Sequence, residues 1–66
     1  MKHNFAKVIK ELREEHGLTK YALAKQLNFS HVTIINWENG KITPSVDTLI
    51  TLSKFFKISI DELLGL

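Results

Sequence analysis

Two amides and two branched hydrocarbons are the side chains here whose spacing could do chemistry. On a helical wheel of about 100° per residue, Val32, Ile35, Asn36 and Asn39 gather on one side, and Ile34, Trp37 and Glu38 gather on the other. The second group reads as a core-facing stripe. The first is poor decoration for a solvent face, but amides hydrogen-bond base edges and methyl groups touch thymine in the major groove of a DNA duplex. Catalysis finds no comparable grouping. His3, His16 and His31 fall in separate segments, there is no cysteine, and no glycine-rich phosphate loop is present. Glu14 and Glu15 are adjacent on a helix and so point in different directions. The sequence therefore predicts no catalytic residue, no metal site and no cofactor.

The stretch that must hold those side chains is 30–40, and it carries two local signals that disagree. Val32-Thr33-Ile34-Ile35 is rich in strand formers, and Asn39-Gly40 is a strong hairpin signal. A hairpin would leave only Lys41-Ile42-Thr43 as its second arm before Pro44, a ribbon too short to stand in water. For the helix, Ser30 can serve as N-cap and Phe29 can staple onto Ile34. Gly40 supplies the left-handed residue that follows a helix, a shape glycine adopts without strain. The expectation is a helix.

The flanking segments read the same way. From Asn4 to Glu15, Phe5, Val8, Ile9 and Leu12 fall at i, i+3, i+4 and i+7, and Gly17 closes that helix. Thr19 caps a second helix of about eight residues with Leu23, Ala24 and Leu27 inward, and Asn28 ends it in a left-handed turn. Ser45 caps a fourth, with Leu49, Leu52 and Phe56 inside; Lys57 follows without a glycine, so it must turn left-handed or the helix end must shift. Ser59 and Glu62 form a capping box for a short fifth helix ending near Gly65. The repeated pattern predicts an all-α domain.

Sixty-six residues make one domain, at the size where a single core is barely sufficient without staples. With no cysteine, disulfides are excluded, which suits a reducing compartment. Met1-Lys2-His3-Asn4 leads directly into the first amphipathic pattern, and no apolar run reaches membrane length, so a cytosolic domain is expected. Charge is uneven. Residues 1–41 hold seven Lys/Arg against four Glu, and residues 42–66 hold two Lys against three acids. That bias is compatible with a polyanion partner, and an ordinary solvated surface explains it equally well.

Phe5 to Leu18, Leu-Thr-Lys-Tyr-Ala-Leu-Ala at 18–24, Trp-Glu-Asn-Gly-Lys at 37–41, Pro-Ser at 44–45 and Ser-Ile-Asp-Glu-Leu-Leu at 59–64 fall in the order and spacing of a known family. Over nearly its whole length the chain resembles the Cro/repressor-like helix-turn-helix regulators. The resemblance implies a compact five-helix DNA-binding domain, with the helix-turn-helix proper over about 19–39. It implies a bacterial or phage-encoded regulator, repressing as a homodimer on a pseudo-palindromic operator. Base contacts are then expected from His31, Val32, Thr33 and Asn36, and phosphate contacts from Lys20 and Lys41. Arg13 and Glu38 are expected to form a partly buried ion pair.

The chain departs from the family at several places. Lys20 stands where glutamine is frequent, Asn28 and Lys57 where glycine is, and Ile35 where a small polar residue is. Lys20 suits a phosphate as a point charge. Ile35 either touches a thymine methyl or marks a surface for another protein. A competing reading is therefore a protein-interaction module on the same fold: an antitoxin, anti-repressor or co-repressor domain. Ile50, Phe55, Leu64 and Leu66, off or beyond the inner stripes, would serve that reading or a two-fold dimer. Trp37 reads as core, while Lys2, Lys7 and Lys10 read as solvated face. A regulatory protein, or a further domain after Leu66, is compatible with the pattern.

Overall fold

Four of the five helices begin at a hydroxyl. The computed structural model describes residues 3–66, so Lys2 and its expected solvated position lie outside the described residues. The elements are α1 (Phe5–Glu15), α2 (Lys20–Leu27), α3 (His31–Glu38), α4 (Val46–Phe56) and α5 (Ile60–Leu64). Thr19, Ser30, Ser45 and Ser59 precede α2 to α5 in extended conformation, and each side chain accepts from the backbone N–H three residues on. The four distances are 3.0, 3.2, 3.3 and 3.0 Å. At Ser59 the capping box is complete, because Glu62 accepts in return from the Ser59 N–H at 3.3 Å. Each cap is worth about 0.5–2 kcal/mol, a large share for a domain this small.

The helices also share one ending. In every case an N–H two or three residues past the helix reaches back five positions: Leu18 to Arg13, Phe29 to Ala24, Lys41 to Asn36, Ile58 to Ser53 and Leu66 to Asp61. Such a closure needs a left-handed residue just before the donor. Gly17, Gly40 and Gly65 fill three of those positions, and Asn28 (φ 62°) and Lys57 (φ 58°) fill the others. Lys57 thus accepts the left-handed shape, and α4 ends where the sequence placed it.

α3 packs against α1 and α2, and α5 packs against α1 and α4. Between them Phe5, Ile9, Leu23, Ala24, Ile34, Trp37, Leu49, Leu52, Phe56 and Leu63 form the core. Trp37 is its centre of aromatic contact, edge-on to Phe5 at 5.9 Å and to Phe29 at 5.3 Å. Among the described residues there is no strand, so tertiary burial of Ile34 and Trp37 overrides the β-propensity of 32–35.

Two expectations shift. The first helix starts at Phe5, one residue late, and Asn4 makes no side-chain cap; its N–H instead donates to the Leu64 carbonyl at 2.7 Å. Phe55 and Leu64, read as lying off the inner stripes, are half-buried against the core, since α5 folds back over α4 and α1. Ile50 and Leu66 stay exposed, joined by Val46.

Candidate nucleic-acid interface

The outward face of α3 is aimed by what holds its inward face. Ile34 and Trp37 are buried, and Glu38 at the end of the helix grips Arg13 of α1. The guanidinium donates from Nε to Glu38 Oε2 at 2.6 Å and from Nη2 to Oε1 at 3.1 Å, the two-pronged geometry that fixes orientation as well as attraction. Its remaining prong, Nη1, donates to the Leu18 carbonyl at 2.8 Å, just before the cap of α2. One side chain therefore ties α1, the turn into α2 and the end of α3 together. The hydrogen bond to Glu38 raises the Arg13 pKa above its ordinary value; burial opposes this, and the charge of Glu38 adds to it.

On the other side of α3, His31 and Val32 are exposed, and Thr33, Ile35 and Asn36 are half-buried. The Thr33 hydroxyl is engaged with the Ser30 hydroxyl at 2.9 Å, at the start of the helix. The Asn36 carbonyl accepts from the Lys41 N–H at 3.0 Å, so the backbone that carries this amide also anchors the following loop. Ile35 lies further in than its wheel position implies, so the apolar part of this face is mainly Val32.

His31, Val32, Thr33 and Asn36 are thus brought together on one eight-residue helix of about 12 Å, a length that matches the width of a B-DNA major groove. Lys20 and Lys41 are not part of that cluster. Lys20 opens α2 and is half-buried, while Lys41 follows Gly40 in the loop after α3 and is exposed. His3 Nε2 lies 3.2 Å from the Thr43 hydroxyl, holding the loop after α3 near the start of α1.

Sequence reasoning assigned no role to Tyr21. It is 65% exposed, and its ring meets that of His31 edge-on at 6.3 Å across the turn between α2 and α3. An aromatic at the second position of a helix, off the Leu23/Ala24 stripe, was the available signal. Among the described residues no group of three or more His, Asp or Glu side chains could hold a metal ion, and no helix is long and apolar enough to cross a membrane.

Comparison with known proteins bears on the same span. The sequence model of a helix-turn-helix family matches residues 9–63. The HTH-type transcriptional activator BcrR of Enterococcus faecalis is 43% identical over 61 residues, which cover 92% of this chain and 30% of that protein. The HTH-type transcriptional regulator ImmR of Bacillus subtilis (strain 168) is 36% identical over 62 residues, covering 94% of this chain and 49% of that protein. The chain spans half the length of these curated relatives or less. A crystal structure of a transcriptional regulator from Listeria innocua superposes with a TM-score of 0.92 at 36% identity, covering 100% of this chain and 62% of that one.

Proposed function

The chain belongs to the Cro/C1-type helix-turn-helix family of DNA-binding transcriptional regulators, and on that premise we propose that it reads a pseudo-palindromic operator as a homodimer and represses by occluding a promoter. The observation that supports this best is the outward face of α3: an exposed imidazole, an exposed branched hydrocarbon and an amide on a helix of groove-sized length, with its rear face locked into the core. In this reading His31, Val32, Thr33 and Asn36 meet base edges, and Lys20 and Lys41 meet phosphates with help from nearby backbone N–H groups.

Two copies are needed on energetic grounds. Few basic groups flank the helix, so a single domain binds weakly, and joining two domains converts the second contact into an intramolecular one. Val46, Ile50 and Leu66, exposed on α4 and beyond α5, supply apolar surface for a self-complementary contact. The sign of regulation follows from where the operator lies. The same docking that excludes polymerase from an overlapping promoter recruits it from an adjacent site, and the Enterococcus relative is named an activator.

The competing reading, an antitoxin or other protein-interaction module, rests on an apolar outer face of α3. With Ile35 half-buried, that face is reduced chiefly to Val32, which favours the DNA reading. The deciding experiment selects duplexes from a random pool in moderate salt. Enrichment of two inverted half-sites about one helical turn apart is expected. A single enriched half-site would remove the dimer, and a pool returned unenriched would leave the α3 face as a protein-docking surface.

A further inference from the structure

The ring contact between Tyr21 and His31 links the first turn of α2 to the first turn of α3, and both residues lie outside the hydrophobic core. Tyr21 is 65% exposed, so it contributes little to the core. Among the described residues neither ring nitrogen of His31 has a hydrogen-bond partner, which leaves one imidazole nitrogen to donate and the other to accept outward. The contact is edge-on, with ring planes 67° apart, an arrangement aromatic rings prefer over face-to-face stacking. Beside the pair lies a groove of about 300 Å³ lined by Ala24, Lys25, Phe29 and Ser30. Both rings also line that groove, so the imidazole borders open space and the Tyr21 edge is the aromatic contact it meets there.

We infer that Tyr21 is a positioning residue for base reading: its ring holds the His31 imidazole in one orientation, so that its N–H donates to an acceptor on a purine edge in the major groove. The inference rests on the reading of α3 proposed above. Its physical content is pre-organisation, since an exposed histidine with two free torsions loses rotamer freedom on binding, and a side chain already held loses less. Purines present N7 as an acceptor in the major groove and guanine adds O6, whereas cytosine presents only its N4 donor there, so a single fixed donor placed at N7 discriminates most strongly against cytosine at that position. The ring carries this role, and the phenolic hydroxyl does not.

The test compares wild type, Tyr21→Phe, Tyr21→Ala, His31→Ala and the Tyr21→Ala/His31→Ala double variant. Each is scored by duplex selection and by competition binding against duplexes changed at one base pair. Tyr21→Phe is expected to keep the wild-type preference. Tyr21→Ala is expected to lose discrimination about three- to tenfold, only at the base pair where His31→Ala also loses it, with the double variant no worse than His31→Ala alone. Thermal unfolding of Tyr21→Ala should stay close to wild type, separating this role from a structural one. Tyr21→Ala weakening all duplexes equally would make the residue a backbone contact and overturn the inference. So would an unchanged preference, or losses that simply add in the double variant. These results leave the DNA reading of α3 intact, whereas absence of any enriched motif for wild type removes that reading and this inference with it.

Discussion

The two faces of α3 are built to opposite rules. On the inner face Ile34 is fully buried, Trp37 is 2% exposed between two aromatic rings, and Glu38 is held by two prongs of one guanidinium. Every side chain there has its partners within the fold. On the outer face Val32 is 60% exposed, His31 keeps both ring nitrogens open among the described residues, and its ring meets an aromatic edge from Tyr21. Geometry is thus decided behind the helix and chemistry in front of it. Changes behind should alter how many molecules are folded, and changes in front should alter which duplex a folded molecule prefers.

Arg13→Ala is the strongest test of that division. Removing one partner of a buried pair leaves an uncompensated carboxylate and costs about 3–5 kcal/mol. A domain of this size has roughly 3–10 kcal/mol in all, so urea denaturation followed by Trp37 fluorescence should show a large loss. The folded remainder should select the wild-type motif. Stability unchanged within about 0.5 kcal/mol would erase the distinction between the faces. The raised Arg13 pKa adds a second reading. A cation favoured in the folded state contributes below its unfolded pKa and is lost only as pH passes its folded value, which for an arginine is strongly alkaline. The gap between wild type and variant should therefore be flat from about pH 6 to about pH 9.

Asn36→Ala comes next in size and should act in the opposite way. A base pair read by an amide carries about 1–3 kcal/mol of discrimination, so competition binding should show a changed preferred sequence with the fold retained. A uniform loss across duplexes would move Asn36 to the backbone contacts. Lys41→Ala should have the smallest effect: a few-fold weakening shared by all sequences, with the salt slope reduced by about one. Altered sequence preference in that variant would blur the boundary between the outer face and its flanks.

Much of this fold was legible in the sequence because its devices are local. A hydroxyl before each of α2 to α5, and a glycine or asparagine after most helices, are chemical statements about one turn of backbone. Lys57 was not decidable in that way. Its left-handed shape is secured by neighbours, since the Ile58 N–H donates to the Ser53 carbonyl and the Ser53 hydroxyl donates back to the Ile58 carbonyl. The partners Arg13 and Glu38 stand 25 positions apart, and only family resemblance paired them in advance. Phe55 and Leu64 looked unpartnered because a helical wheel describes one helix and not the neighbour that folds over it. Tyr21 escaped notice for the same reason. Its meaning depends on what stands across the turn, and no propensity encodes that.

The hydrogen bond from Asn4 to Leu64 also bears on the order of assembly. It joins residues nearly the full chain length apart, and adding a Cβ at Gly65 would bring it within 2.9 Å of the Asn4 Cβ, so the two ends of the domain meet closely. Such a closure must wait for the intervening helices to collapse, because a long loop pays its entropy before the contact repays any of it. The α2–α3 pair, by contrast, is joined by three residues and can dock early. Folding would then proceed from the α2–α3 pair outward and finish at the seam between α1 and α5, and that seam would be the first to open again. In native-state hydrogen exchange the Asn4 amide should lose protection ahead of the α3 amides, a sign of a domain that can breathe at its seam while α3 stays in place.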